Sequence, residues 1–281
     1  MDMRILILGA SGYTGSFLKN FFADKANEVY GTYRTQRDSY QNDSSMFHFD
    51  MEQVDEIYGI LEKTKPNVII SCLRGDFNKQ IEAHKIVISY FRKMMYGKFV
   101  FLSTSNVFDN DLTVVHTEND ITNTHSDYGK YKAECEKIIL DSLGDQAIVL
   151  RTSFILGKNC RRSRQVLECA RKKILIPSYE NIYFNYTPVI QIAEWLWYIL
   201  KNNLSGIFHV GTKDVCVYTE FVQQLLQSLK ISGPEYSVEC VKEKSYQAVI
   251  PARREIPDEM QIVIKDVIAY LQNEYSESLY I

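Results

Sequence analysis

The sequence predicts an α/β protein with a doubly wound, parallel sheet. Short apolar runs, typical of strands buried on both faces, alternate with amphipathic helical stretches from residue 4 to about residue 155. The first apolar run ends in a glycine-rich loop, which is where such sheets place the start of a helix. The 281 residues are 46% hydrophobic and 24% charged, a composition that supports a large buried core.

Each element follows from its local pattern. An apolar run bounded by glycine, proline or polar residues predicts a strand, and apolar residues spaced three and four apart predict a helix. On this basis strands are expected at residues 5–8, 28–33, 47–50, 67–72, 98–103 and 147–151. Helices are expected at residues 16–22, 54–63, 79–95 and 127–143.

Net charge and cysteine content exclude several classes of protein. The formal net charge is −3 with both signs scattered, whereas a nucleic-acid-binding surface shows a basic excess. The six cysteines form no CxxC pair and have no histidine at zinc spacing, which predicts reduced thiols and no metal site. The first apolar run is too short for a signal sequence or a membrane span. The sequence therefore predicts a cytoplasmic protein with no membrane and no nucleic-acid partner.

The glycine-rich loop predicts a dinucleotide site. Its glycines would allow a tight turn, a close approach of backbone amides to a pyrophosphate, and close packing of the helix on the strand. Their GxxGxxG spacing resembles the loop of short-chain dehydrogenases/reductases rather than the GxGxxG of ordinary dehydrogenases. A purely structural turn is the alternative. The loop residues predicted to bind the dinucleotide are Gly9, Ser11, Gly12, Tyr13, Thr14 and Gly15.

The alternation of strands and helices weakens beyond residue 155. A helix at residues 189–200 and a strand at residues 206–210 are still predicted, and the strand is expected to rejoin the sheet. A further helix, a strand near residues 237–241 and an amphipathic helix near residues 260–271 follow. We therefore expect a dinucleotide-binding Rossmann core at residues 1–155, rejoined by about 189–212. Residues 156–188 and 213–281 would form a smaller C-terminal substrate-binding lobe.

The end of the second strand predicts which dinucleotide binds. An NAD site places Asp or Glu there to accept hydrogen bonds from the ribose hydroxyls. Here the strand ends in Tyr33-Arg34, and Arg37 follows. A guanidinium suits a 2′-phosphate, so we expect NADP(H) to be preferred, with NAD(H) as the second choice. A solvated surface arginine is the alternative interpretation.

Three residues form the predicted catalytic set. Thr104 follows the strand at residues 98–103, and Tyr128 and Lys132 lie at i and i+4 on one face of the next helix. The Lys132 ammonium and the positive nicotinamide would depress the pKa of Tyr128 from about 10 toward neutrality. Tyr128 could then donate a proton to a carbonyl oxygen that Thr104 orients. A surface Tyr/Lys pair is the alternative.

Longer segments carry a more specific resemblance. Residues 101–109, 151–157, 187–189 and 206–211, with the helix from Tyr128 to Lys132, are similar to segments of the dTDP-4-dehydrorhamnose reductases. These are extended short-chain dehydrogenases/reductases, and the likeness spans about residues 4–212. It implies a nucleotide-sugar substrate and a role in carbohydrate biosynthesis. It also implies that Asp50 accepts from the adenine amino group, and that Cys72 and Leu73 border the nicotinamide side.

Three positions depart from that family. Ser105 and Asn106 stand where the reductases often have Asp-Tyr, so the resemblance places these two beside the sugar. Ser71-Cys72-Leu73 replaces the usual Asn-Ala-Ala. The helix asparagine that supports the family's proton relay is replaced, with Lys85 near its place.

A basic cluster follows residue 157 and predicts contact with a diphosphate. Arg161 and Arg162 lie in this cluster, and Arg253 lies where the relatives place a substrate-binding arginine. Cationic forks of this kind suit a nucleotide-sugar diphosphate. Solvated arginines on an exposed face are the alternative.

The leading functional interpretation is an NADP(H)-dependent reductase of a nucleotide-activated keto-sugar. A nucleotide-sugar epimerase or dehydratase is the second. Dehydratases carry an acidic pair after the threonine, which Ser105 and Asn106 do not supply, and Arg34 disfavours the tightly held NAD of epimerases. The third is a non-catalytic NADP-binding regulator resembling the methionine adenosyltransferase regulatory subunit. The sequence is also compatible with a homodimer.

Overall fold

A computed structural model of the chain describes residues 2–35, 40 and 42–276, without the side chains of residues 240–242. Arg37, which follows Arg34 in the sequence, lies outside these residues.

The chain alternates strands and helices along most of its length. The strands are β1 (Arg4–Leu8), β2 (Glu28–Tyr33), β3 (Met46–His48), β4 (Val68–Ser71), β5 (Lys98–Thr104), β6 (Ala147–Thr152), β7 (Phe154–Leu156), β8 (Ile176–Phe184), β9 (Tyr186–Pro188), β10 (Gly206–Val210), β11 (Cys216–Val217) and β12 (Tyr236–Gln247). The helices are α1 (Tyr13–Phe22), α2 (Glu56–Thr64), α3 (Phe77–Met94), α4 (Asp127–Leu143), α5 (Arg161–Lys172), α6 (Val189–Lys201), α7 (Tyr218–Ser228) and α8 (Ile264–Ser276).

Seven strands form the central sheet, in the order β10-β6-β5-β4-β1-β2-β3. β1 pairs in parallel with both β2 and β4, and the pairs β2–β3 and β4–β5 are also parallel. The strand order therefore reverses between β1 and β4. In open α/β sheets ligands bind at the carboxyl ends of the strands beside such a reversal. The predicted α/β fold with a doubly wound parallel sheet is confirmed.

The core of this sheet explains why its strands read as unbroken apolar runs. Ile5, Leu6, Ile7 and Leu8 of β1 are all fully buried, so both faces of the strand are covered. Each fully buried aliphatic side chain contributes roughly 1.5–3 kcal/mol relative to exposure. An apolar residue is therefore favoured at every position of such a strand, and not only at alternate ones.

The sequence predicted the bounds of several elements. β2, α4 and β10 coincide with the predicted ranges. α1 begins earlier than expected, because Gly12 is extended and the helix starts directly at Tyr13. β8 was not predicted, because its turn-forming residues Pro177 and Asn181, the latter at φ 67°, disguise a half-buried strand.

The chain divides into two compact units. The first comprises the described residues of Met1–Ser103, with Lys130–Leu150 and Leu196–Ile207. The second comprises Thr104–Gly129, Arg151–Trp195 and the described residues of Phe208–Ile281. Residues 104–129, 151–155, 189–195 and 208–212, which were expected in the core, group with the second unit, which is comparable in length to the first.

The second unit has sheets of its own. β8 is central to a three-stranded sheet, parallel to β12 and antiparallel to β11, and β7 pairs with β9. Asn185 is fully buried and joins distant segments: its amide nitrogen donates to the Val249 carbonyl at 2.8 Å and to the Thr212 carbonyl at 3.2 Å. A buried amide with these partners specifies how the segments pack.

Two negative findings apply to the described ranges alone. None of the helices there combines the length and the apolar character needed to cross a bilayer. Nor do those ranges contain three or more His, Cys, Asp or Glu side chains grouped so that they could hold a metal ion.

Candidate active site

The glycine-rich loop is anchored to the end of β2. The backbone N–H of Gly9 donates to Thr32 Oγ1 at 2.8 Å, and the N–H of Ser11 donates to the Thr32 carbonyl at 3.3 Å. The Gly12 N–H closes the turn by donating to the Gly9 carbonyl at 3.1 Å. These bonds hold the loop at the carboxyl end of the sheet, where the sequence placed the dinucleotide.

Two glycines of the loop leave no room for a side chain. Gly9 has φ +80°, and a Cβ there would lie 2.8 Å from the Cys72 carbonyl oxygen. A Cβ on Gly15 would overlap the Gly9 carbonyl oxygen. The Cys72 N–H donates to the Leu8 carbonyl at 2.8 Å, so Cys72 and the adjoining Leu73 follow β4 directly beside the loop.

The start of α1 fits a diphosphate. Gly12 precedes the helix and no side chain caps it. The first backbone amides of a helix have no acceptor within the helix, and its N-terminus carries a partial positive charge. With the glycines excluding side chains, the residues present fit the pyrophosphate of a dinucleotide.

The two residues predicted to bind the adenosine half are paired with each other. Arg34 Nε lies 3.7 Å from Asp50 Oδ2, and the Arg34 side chain is 69% exposed. Asp50 also accepts from the Glu52 N–H at 3.2 Å, which caps a short 3₁₀ turn at Met51–Gln53. The ion pair lies beside the end of β2.

Thr104 ends β5 with its hydroxyl already engaged. Thr104 Oγ1 donates to Asn106 Oδ1 at 2.9 Å and accepts from the Asn106 N–H at 3.3 Å. This exchange caps the 3₁₀ turn Ser105–Phe108, in which Ser105 is the first residue. Asn106, predicted beside the substrate, thus accepts the hydrogen bond that Thr104 would otherwise donate to a carbonyl oxygen.

Asp109 holds the segment that enters α4. Its carboxylate accepts from Thr124 Oγ1 at 2.8 Å, from the His125 N–H at 2.7 Å and from the Ser126 hydroxyl. Ser126 Oγ in turn accepts from the Gly129 N–H at 3.0 Å. These hydrogen bonds lower the pKa of Asp109, although burial opposes the shift. The sequence did not identify this residue.

Gly129 shows how closely the start of α4 packs. A Cβ on Gly129 would overlap the Thr124 hydroxyl and the Asn106 carbonyl oxygen. The residue after Tyr128 therefore has to be glycine for the segments on either side to meet. Asp109 and Gly129 together determine the position of Tyr128, whose side chain is 41% exposed.

Lys132 lies one turn after Tyr128 and is only 7% exposed. Its ammonium donates to the Leu102 carbonyl at 2.7 Å and lies 4.4 Å from the centre of the Phe101 ring. Burial lowers the pKa of Lys132 to about 8. A lysine in this setting keeps a desolvated positive charge close to the helix face that carries Tyr128.

The sequence placed Lys85 near the position of the family's helix asparagine. Its side chain is exposed on α3, whereas the residue before it, His84, is 2% exposed and turned into the core. Helix geometry explains the difference, because neighbouring residues point about 100° apart and only one of the two can face the sheet. Glu136 is a further residue that the sequence missed; it is buried and accepts from the Ser103 hydroxyl.

The predicted substrate arginines have different surroundings in the second unit. Arg161 is exposed at the start of α5. The Arg162 guanidinium carbon lies 4.0 Å from the centre of the Phe154 ring. Arg253 donates to Glu255 at 2.6 Å and lies 4.4 Å from the centre of the Phe208 ring.

The parallel seven-stranded sheet, the glycine loop and the Tyr128/Lys132 helix together define a short-chain dehydrogenase/reductase, an oxidoreductase that uses NAD(P). A profile of the RmlD substrate binding domain matches residues 78–269, and the chain belongs to that family.

Relatives agree with this assignment. A dTDP-4-dehydrorhamnose reductase of Aggregatibacter actinomycetemcomitans is 27% identical over 237 residues, which are 76% of this chain and 74% of that protein. A Bacillus anthracis dTDP-4-dehydrorhamnose reductase solved in complex with NADP has a TM-score of 0.77 at 17% identity, covering 99% of each chain. The Bordetella bronchiseptica enzyme WbmG, solved with NAD and UDP, has a TM-score of 0.82 at 15% identity, covering 99% of this chain and 96% of that one. At these identities the two structures show the fold alone.

Proposed function

We propose that this protein is an NADP(H)-dependent reductase of a nucleotide-activated keto-sugar, similar to the dTDP-4-dehydrorhamnose reductases. The observation that carries the proposal is the buried Lys132 ammonium, one helical turn from the partly exposed Tyr128. The names of the relatives support a 4-keto-sugar of a nucleoside diphosphate as the substrate.

The bound dinucleotide would supply a hydride to the carbonyl carbon. Tyr128 is the proton donor to the carbonyl oxygen, a transfer that needs its hydroxyl within hydrogen-bond reach of that oxygen. Lys132 stabilises the charge that develops on Tyr128 as the proton leaves, because its own positive charge is desolvated and fixed by the Leu102 carbonyl. The glycine loop, Cys72 and Leu73 hold the dinucleotide.

Thr104 imposes a condition on this mechanism. Its single hydroxyl hydrogen is donated to Asn106 Oδ1. Thr104 can therefore donate a hydrogen bond to the carbonyl oxygen only after its bond to Asn106 breaks and the hydroxyl rotates. In the proposal, substrate entry displaces the Asn106 side chain, whose amide N–H then donates a hydrogen bond to the sugar. Ser105 is the neighbouring residue and also contacts the sugar.

The proposal is tested by following NADPH oxidation with a panel of nucleoside diphosphate 4-keto-sugars. Turnover of at least one, with a product reduced at C4, is expected. Inversion of the configuration at one sugar carbon without net NADPH oxidation would instead indicate an epimerase. Tight NADPH binding with no turnover of any sugar would indicate the non-catalytic regulator.

Arg34 provides a prediction about the cofactor. We expect NADPH to bind more tightly than NADH, and Arg34→Ala to remove most of that preference, because one charge-assisted hydrogen bond contributes about 1.5–3 kcal/mol. The measurement is the Kd of each cofactor by fluorescence titration. Asp50→Asn is the matched control: it frees the guanidinium from its ion pair and should keep the preference. Equal affinities in the unmutated protein would contradict the assignment.

Arg162 provides a prediction about the substrate. Its guanidinium is held over Phe154, so we expect Arg162→Ala to raise the KM for the nucleotide sugar about tenfold or more, the effect of losing one ionic hydrogen bond to a phosphate. The cofactor Kd should not change. Arg161→Ala is the second variant, because Arg161 is exposed like Arg162 and belongs to the same predicted diphosphate contact. A KM unchanged in both variants would move the diphosphate contact to Arg253.

A further inference from the structure

His84 is a buried titratable residue that the proposed reaction does not use. Its Nε2 lies 2.8 Å from Ser71 Oγ at the end of β4. Its Nδ1 lies 3.5 Å from Cys135 Sγ on α4. Both ring nitrogens therefore have partners, and the imidazole links three elements of the first unit: α3, β4 and α4.

The same imidazole supports the surroundings of Lys132. Cys135 lies three residues after Lys132 on α4, so the contact with His84 restrains the turn that carries the ammonium. The Phe101 ring, 4.4 Å from the Lys132 ammonium, also meets the His84 ring edge-on with centres 5.2 Å apart. His84 thus contacts both the helix turn behind Lys132 and the aromatic ring against which its ammonium packs.

The electrostatics of this cluster require a neutral imidazole. Burial, and after it the charge of Lys132, lower the pKa of His84 to about 3. Burial raises the pKa of Cys135 to about 12, so its thiol stays protonated. The other groups that act on Lys132 are Cys72 and Arg74 after β4, and Glu136 on α4. His84 therefore adds hydrogen bonds around the ammonium without a second positive charge.

We propose that His84 is the positioning residue of Lys132: it fixes the ammonium against Phe101 and the Leu102 carbonyl by tying the end of β4 to the α4 turn. That this positioning affects catalysis rests on the proposed function, whereas the contacts of His84 are independent of it.

The structure supplies a matched set of variants. His84→Phe keeps a ring among Phe101 and its neighbours but removes both polar contacts. His84→Gln keeps a polar group that can reach Ser71. Lys85→Gln alters the exposed neighbour on the same helix and serves as the control.

In His84→Phe the ammonium is less firmly held. We expect turnover to fall by about tenfold or more while the NADPH Kd changes by less than about threefold. The alkaline limb of the pH profile of kcat/KM should move to higher pH, because a displaced cation assists loss of the Tyr128 proton less. His84→Gln should restore part of the turnover, and Lys85→Gln should match the parent.

A second readout does not depend on the substrate. NMR of ¹³Cε-labelled lysine, with the Lys132 signal identified by its loss in Lys132→Met, follows the titration of that ammonium in the NADP⁺ complex. We expect the pKa of Lys132 to rise in His84→Phe toward the ordinary lysine value, because the freed ammonium reaches water. If the parent reduces none of the sugars, the proposed function fails, and this titration still decides the role of His84. An unchanged Lys132 titration in a folded His84→Phe, or a lower melting temperature with the pH profile unmoved, would overturn the inference.

Discussion

Replacing Tyr128 with phenylalanine is expected to lower turnover by at least about 100-fold, the usual contribution of general acid catalysis. The substitution removes the hydroxyl and keeps the ring on a side chain that is already 41% exposed. Folding should therefore be unaffected, and the NADPH Kd should stay close to that of the parent. The measurement is steady-state reduction of the accepted nucleotide sugar, with cofactor binding followed separately.

Tyr131 on the same helix offers a matched control. Its hydroxyl donates to Gln80 Oε1 at 2.7 Å, and its ring stacks on Phe77 and lies 5.4 Å from the Lys132 ammonium, so phenylalanine at this position removes the hydroxyl and keeps both ring contacts. Tyr131→Phe should lower the free energy of unfolding by about 1–3 kcal/mol, because the buried Gln80 Oε1 loses its donor, and should leave turnover near that of the parent. Parent-like turnover in Tyr128→Phe would mean that another group protonates the carbonyl oxygen.

Lys132→Met is expected to lower turnover by a comparable factor, at least about 100-fold, and also to change how stability depends on pH. The pKa of Lys132 is lowered by burial from 10.5 to about 8 in the folded state. Between these two values the unfolded chain binds more protons than the folded one. The stability of the parent should therefore rise with pH from about 8 to 10.5, by about 3 kcal/mol in total.

The methionine variant lacks this titration. The difference in unfolding free energy, parent minus Lys132→Met, should increase across that window when measured by denaturant titration at several pH values. Lys130, exposed two residues earlier on the same helix, gives the control: Lys130→Met should keep both turnover and the pH dependence of the parent. A flat difference between pH 8 and 10.5 would show that the ammonium is not desolvated.

The sequence alone determined the fold class and most of the first unit. Apolar runs and helical spacing are local signals, and they specified β2, α4 and β10 to the residue. The glycine loop and the Tyr128/Lys132 pair could also be identified, because their members lie close together in the chain. β8 and α5 were missed, since turn-forming residues and a strongly basic composition obscure their periodicity.

Contacts between distant residues were decided only by the tertiary structure. Helical spacing places His84 and Lys85 on different faces of α3, but only the fold shows that the His84 face packs against Phe101 while Lys85 stays in water. Similarly, Arg34 and Asp50 were identified singly, and only the fold pairs them. The reason is physical: burial and hydrogen bonding depend on which elements the sheet brings together. The chemistry of Lys132, with its pKa near 8, is therefore a property of the packed molecule and not of the YxxxK pattern.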